Sequence, residues 1–273
     1  MQHLFETPAP TAVYVEIGSG DVDARAEDTD RTVIDVDGEY ADEVLVEQRV
    51  DQIVVLAPAR RAGFFGNRND LRVRVTMPTG SELATKLGSA DVTATGRLGK
   101  AKIRTGSGDV RLDDVDHEVV VETGSGDIGI GSVGGDLRVK SGSGDIEVDH
   151  LGGEGSIATG SGDVHIATAG GAVQVRSASG DLRVRDARNG VELSTASGDL
   201  YLDVVHRGRV TAKNVSGDIN LGIPEGIPVW TDITSVTGSV SSDLAGAGEP
   251  APGQDYVELR AKTVSGDIRL EQR

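Results

Sequence analysis

Seven aspartates recur at intervals of 18 residues: Asp91, Asp109, Asp127, Asp145, Asp163, Asp181 and Asp199. A fixed short period means one structural unit stacked on itself, which narrows the fold before any propensity argument begins. Each aspartate closes a small-residue turn, as in Thr105-Gly106-Ser107-Gly108-Asp109 and Thr159-Gly160-Ser161-Gly162-Asp163. One residue after the aspartate the column reads Val92, Val110, Ile128, Ile146, Val164, Leu182, Leu200, and three after it Ala94, Leu112, Ile130, Val148, Ile166, Val184, Leu202. That alternation by twos is the signature of a half-buried strand. A second alternating pair of columns contains Val119, Leu137, Val173 and Val191, followed by Ile103, Val121, Val139, Ile157, Val175 and Leu193.

Continuing by twos reaches Thr105, Thr123, Ser141, Thr159, Ser177, Thr195 and then Ser107, Ser125, Ser143, Ser161, Ser179, Ser197. Sharing the phase of the apolar columns, both hydroxyl columns are expected to point inward at a narrow corner and bond a neighbour or the backbone. Eighteen residues hold two short strands and two corners, too few for a helix and its connections. The expected fold is therefore all-β: a single-chain parallel β-solenoid (β-helix) with coils about 4.8 Å apart.

Residues 1–85 are β-rich but off the beat, with an early turn at Ser19-Gly20-Asp21 and apolar runs at 32–36, 44–46, 53–56 and 71–77. They are expected to form an irregular N-terminal cap, either wider, irregular coils or a small β-cap, continuous with a solenoid over 86–273, because an open end would leave strand edges unpaired. Regular coils are expected over 91–218 and looser ones over 219–273. The last coil, ended by Ser265-Gly266-Asp267, takes its extra length from an exposed loop between Ser241 and Asp255, rich in glycine, alanine and proline.

The repeated Ser-Gly-Asp followed by an apolar residue, led by a β-rich segment ending in Val73-Arg74-Val75-Thr76-Met77-Pro78-Thr79-Gly80, resembles a bacterial β-strand repeat-containing, "putative adhesin" family of unknown function. The resemblance spans nearly the whole chain. It implies a β-solenoid and supplies no catalytic residues to carry over.

Net charge is −17. This argues against nucleic acid or an anionic membrane surface as partner, since both need a basic footprint. There is no cysteine, so disulfides and thiolate chemistry are excluded. The N-terminus has neither a positive start nor an apolar run, and no stretch reaches membrane-span length; the expected location is the cytoplasm.

The aspartate ladder is the sharpest candidate site. Stacked carboxylates repel one another, and bridging calcium would relieve that; alternatively each aspartate accepts hydrogen bonds from the amides of its own turn. A second candidate is the basic, glycine-flanked segment containing Arg60, Arg61, Phe64, Phe65 and Arg68. Its arginines and adjacent rings have the composition of an interface anchor, and the same rings would also serve as a plug for the end of the core.

Catalysis finds no support in the residues. His117, His150, His165 and His206 fall in four different columns, and no long loop in the regular block walls off a cleft. Stacking of sugars or bases is disfavoured too, because Tyr201 is the only aromatic between Asp91 and Asp218. The expectation is a non-enzymatic, acidic scaffold or protein-interaction module with a protein partner and no cofactor, its oligomeric state open. The alternatives are a surface adhesin with calcium on the ladder and a polymer-active enzyme.

Overall fold

The computed structural model describes residues 1–58, 71–246 and 248–273. The described residues form 25 strands and one three-residue 3-10 turn, Ala41–Glu43. Among them no helix is long and apolar enough to cross a membrane. The chain divides into two compact units, Met1–Gly135 and Asp136–Arg273. Each is built as a parallel β-solenoid.

In the first unit the 18-residue period becomes strand register. Strand Val119–Ser125 lies parallel to Lys100–Ser107 with Val119 opposite Ala101, Val121 opposite Ile103 and Thr123 opposite Thr105; Ile128–Val133 sets Ile128 on Val110 and Ile130 on Leu112. Each column thus stacks on itself, and these apolar side chains are buried. At about 1.5–3 kcal/mol for each fully buried valine, leucine or isoleucine, the repeated columns are the main source of stability.

The segment expected as an irregular cap contains a regular coil. Strand Ala12–Glu27 pairs in parallel with Glu82–Leu98, with Val13 on Leu83, Asp21 on Asp91 and Val22 on Val92. Its other side takes Gln52–Leu56 and Leu71–Pro78, also in parallel. The earliest coil in the chain therefore sits between two later ones. Antiparallel strands cover the outer pair: Leu45–Gln48 lies on Gln52–Leu56, Arg31–Asp37 on Leu71–Pro78, and Gln2–Glu6 on Arg31–Asp37.

The second unit repeats the stacking. Leu137–Ser143, Gly155–Ser161, Val173–Ser179, Val191–Ser194 and Gly208–Lys213 follow one another in parallel. Beyond them the order departs from the sequence-based expectation. Gly208–Lys213 pairs with Val257–Ser265, which in turn pairs with Val229–Thr237; likewise Ile219–Ile223 pairs with Ile268–Gln272, and that strand with Val240–Ser242. The last coil in the chain is inserted between the two before it, and the outermost coil is 229–242. The insertion is possible because the described linker residues, 243–246 and 248–256, carry no strand and are mostly exposed, so the linker can span the return.

The hydroxyl columns also behave differently from one another. Thr105, Thr123, Thr159 and Thr195 are buried, and each donates to the carbonyl two residues on, at 2.9–3.1 Å. The serine column is half-buried or exposed, because the chain is already turning there and the strand alternation no longer holds. From Gly108 onward the fourth position of the turn requires glycine, whereas the turn before Asp91 has Ala90 there: Gly126 has φ +120, and a Cβ on it would stand 2.2 Å from the Gly108 carbonyl oxygen of the preceding coil.

Candidate interaction surface on the second unit

The aspartate ladder is a set of clips between coils. In the first unit the Asp109 amide donates to Asp91 Oδ1 at 2.8 Å and the Asp127 amide to Asp109 Oδ1 at 3.0 Å. In the second unit the amides of Asp163, Asp181, Asp199 and Asp218 donate to the Oδ1 atoms of Asp145, Asp163, Asp181 and Asp199 at 2.7–2.8 Å. The expectation of bonds within each aspartate's own turn is corrected: the accepted N–H belongs to the next coil. A carboxylate accepting an amide is a charge-assisted bond, stronger than a neutral one. The second oxygen meets cations or hydroxyls, as in Asp109 with Arg111 at 3.2 Å and Asp199 with the Tyr201 hydroxyl at 2.9 Å. That last bond, reinforced by burial, raises the Tyr201 phenol above its ordinary value.

The ladder also records the true coil order. The Asp267 amide donates to Asp218 Oδ1 at 2.8 Å, and the Ser239 amide to Asp267 Oδ1 at 2.9 Å. The Ser239 amide holds the Asp267 carboxyl below the usual carboxylate range. Serine stands where every earlier coil from 91 onward has aspartate, so coil 229–242 offers no carboxylate to a further coil. Among the described residues no group of three or more histidine, aspartate or glutamate side chains is gathered as metal ligands would be. The segment with Arg60, Arg61, Phe64, Phe65 and Arg68 lies outside the described residues.

The outer coil is unlike the rest. Strand Val229–Thr237 pairs with Val257–Ser265 alone among the described residues. Val236 is 68% exposed and Val240 50% exposed. Thr231, Ser235 and Ser242 stand in register with Leu259, Thr263 and Leu270, so hydroxyls replace two of the apolar groups that would otherwise face solvent at the end of the core.

On the outward face, Trp230 and Tyr256 line one cleft of about 530 Å³ together with Pro228, Pro250, Glu258 and Arg260. Trp230 is 55% and Tyr256 50% exposed. The Arg260 guanidinium lies 6.0 Å from the Trp230 ring centre, within cation–π range. Glu258 fixes that arginine at 3.0 Å and takes Arg209 at 3.0 Å on its other side. The rings were missed because the case against stacking rested on residues 91–218, and because chain order hides that 229–230 and 256–260 lie on adjacent strands. The signal that could have found them is the lone tryptophan of the chain, on an outward position of a strand.

These features define a parallel β-solenoid in which one coil of each unit is inserted between neighbours out of chain order, with an aromatic cleft beside one uncovered edge of the second unit. The chain belongs to the Toastrack DUF4097 family, whose model matches residues 11–209 and 171–271. No curated protein matches it. Similar solved structures include a "putative adhesin" of Bacteroides fragilis, 14% identical over 99% of this chain and 96% of that one, with TM-score 0.42. Another is a "putative adhesin" of Parabacteroides distasonis, 10% identical over 99% and 96%, TM-score 0.37. A "putative lipid binding protein" of the same organism is 14% identical over 99% and 96%, TM-score 0.35.

Proposed function

We propose that the protein is a non-catalytic binding scaffold: clipped, parallel coils hold a rigid surface on which a protein partner docks. The observation that carries this reading is the outer coil of the second unit, with a strand edge and two half-exposed rings left uncovered among the described residues, whereas the coil 257–272 beside it is paired on both sides. Exposed aromatics beside an arginine are the composition of binding hot spots, and leaving them in water serves folding poorly.

Affinity capture from the source cell, with mass spectrometry of what is retained, tests it. The expected result is a protein recovered in amounts comparable to the bait and absent from a bait unfolded by Val121→Asp. Recovery of the same set by both baits, or turnover of a polymer by the purified protein, would overturn the scaffold reading. Fractionating the source cell separates an internal scaffold from an adhesin, which would be recovered with the cell surface.

A further inference from the structure

We infer that the second unit binds an extended, basic peptide segment, added as a strand along Val229–Thr237 with one of its side chains held between Trp230 and Tyr256. This rests on the binding role proposed above and gives it a site and a ligand class. Two independent features of the fold meet here. The first is backbone: the strand Val229–Thr237 has nine residues and pairs on one side only among the described residues. The main-chain groups on its other side are a template for one more strand.

The second feature is the cleft. In strand-addition recognition the main chain supplies affinity and pockets for alternate side chains supply specificity. Trp230 stands on the outward face of the edge strand, so alternate residues of an added strand, about 5 Å away, reach its ring. The cleft of about 530 Å³ has room for one aromatic or long basic side chain. The indole N–H and the Tyr256 hydroxyl have no protein partner among the described residues, and both are available to a ligand carbonyl. Arg260, held by Glu258 at 3.0 Å, backs the Trp230 ring, so little freedom remains to be lost on binding.

Charge chooses the occupant. Within 229–242 the only charged residue is Asp232, whose carboxylate stands 3.8 Å from Lys262 Nζ on the neighbouring strand; Asp243 follows, and the whole chain carries −17. Glu249, beside the rings, forms no ion pair among the described residues. A second copy of the chain would bring the same acidic field to this edge, whereas a basic segment is complementary to it. Residues of the other parity would lie over Val229, Ile233 and Val240, which favours apolar side chains there. The ligand is thus a strand with lysine or arginine and one ring on one face and valine or isoleucine on the other. Ser239 ends the aspartate ladder, so the added strand is held by edge and cleft and not by a further clip.

Trp230 is the only tryptophan, so its emission reports on the site directly. The probe is a nine-residue peptide alternating valine and lysine, with a central phenylalanine on the lysine face, titrated into the full chain. A saturable change in emission is expected, weakened about tenfold or more by Tyr256→Ala and by Asp232→Lys, with melting curves of both variants unchanged. The same peptide N-methylated at alternate backbone amides, in either phase, should lose binding in the phase that pairs with the edge. Absence of a saturable change would overturn the proposal, as would equal binding of both N-methylated forms. So would an emission change that follows protein concentration alone, which marks self-association, or one produced by chitohexaose and not by the peptide. A captured partner that binds the Tyr256→Ala protein undiminished would leave the scaffold reading standing and remove this site.

Discussion

In the first unit the outermost parallel strands, Gln52–Leu56 and Leu71–Pro78, are each covered by an antiparallel strand, whereas in the second unit the outermost strand, Val229–Thr237, is covered by nothing among the described residues. Both units insert a coil from near the chain's end between its neighbours, so Ala12–Glu27 in the first and Val257–Ser265 in the second are each hydrogen-bonded on two sides. What differs is the treatment of the edge. Short antiparallel strands of four to seven residues blunt the first unit, and hydroxyls in core positions merely solvate the end of the second. An edge that is covered serves stability, and one left open beside exposed rings is suited to binding.

The largest test of this comparison is truncation. Ending the chain at Ala251 removes Val257, Leu259, Ile268 and Leu270, all buried, and at about 1.5–3 kcal/mol each this forfeits roughly 6–12 kcal/mol of burial. It also strands coil 229–242 without the one strand partner it has among the described residues. The second unit should lose its cooperative melting transition, while removing Met1–Thr7 takes away a single edge strand and should lower the melting temperature far less. A chain ending at Ala251 that melts like the intact protein would break the inserted-coil picture.

Next in size is the corner. Gly126→Ala forces a side chain onto the Gly108 carbonyl at a positive φ and should cost about 2–4 kcal/mol by denaturant midpoint. Gly246→Ala, in the linker with nothing within 4 Å of its would-be Cβ, should stay within about 0.5 kcal/mol. Equal losses at the two would mean that the corners do not hold the coils in register.

The clips come third. Asp163→Ala leaves the Asp181 amide without its carboxylate and should cost about 1–2 kcal/mol, with Asn recovering part of the loss. Asp267→Ala releases only the outer coil through Ser239 and should cost less. Because one oxygen of these carboxylates already accepts an amide, millimolar calcium should raise the melting temperature no more than magnesium does. A calcium-specific rise removed by Asp163→Asn would promote the adhesin alternative.

The smallest effects are ionic. The Asp267 carboxyl titrates below its unfolded value of 3.8, so its contribution is present above that value and is lost as pH falls through the lower folded one; Asp267→Asn should flatten the acid limb of the stability curve there. Tyr14, desolvated and bonded to Glu16, has its phenol pushed up to about 12 from 10.0. Its contribution is complete below the unfolded value and is lost as pH rises through about 12. Ultraviolet titration of Tyr14→Phe should lack a step near that pH.

The 18-residue period made much of the fold legible in advance. The columns through Val121 and Ile157, the threonine corner and the aspartate turns all occupy the positions that alternation by twos assigns them. The regular register of the coil at Ala12–Glu27 was not legible, although its turn at Ser19-Gly20-Asp21 was, because its partner lies 70 residues away, where no short period points. The clip was misread for a related reason: every turn carries the same amide, and nothing in one repeat says whether an aspartate bonds its own turn or the next. The cleft escaped because its rings come from segments that the chain separates and the sheet joins.

Repetition in the sequence by itself determined what each coil looks like, which side chains face inward and how strands register once paired. Only the tertiary structure decided which coil pairs with which. The reason is physical: similar repeats offer nearly equivalent edges, so the apolar face of 257–272 fits 208–223 and 229–242 alike. The choice among such partners rests on linker reach and on which arrangement seals more edges, quantities that belong to the assembled units and not to any single repeat.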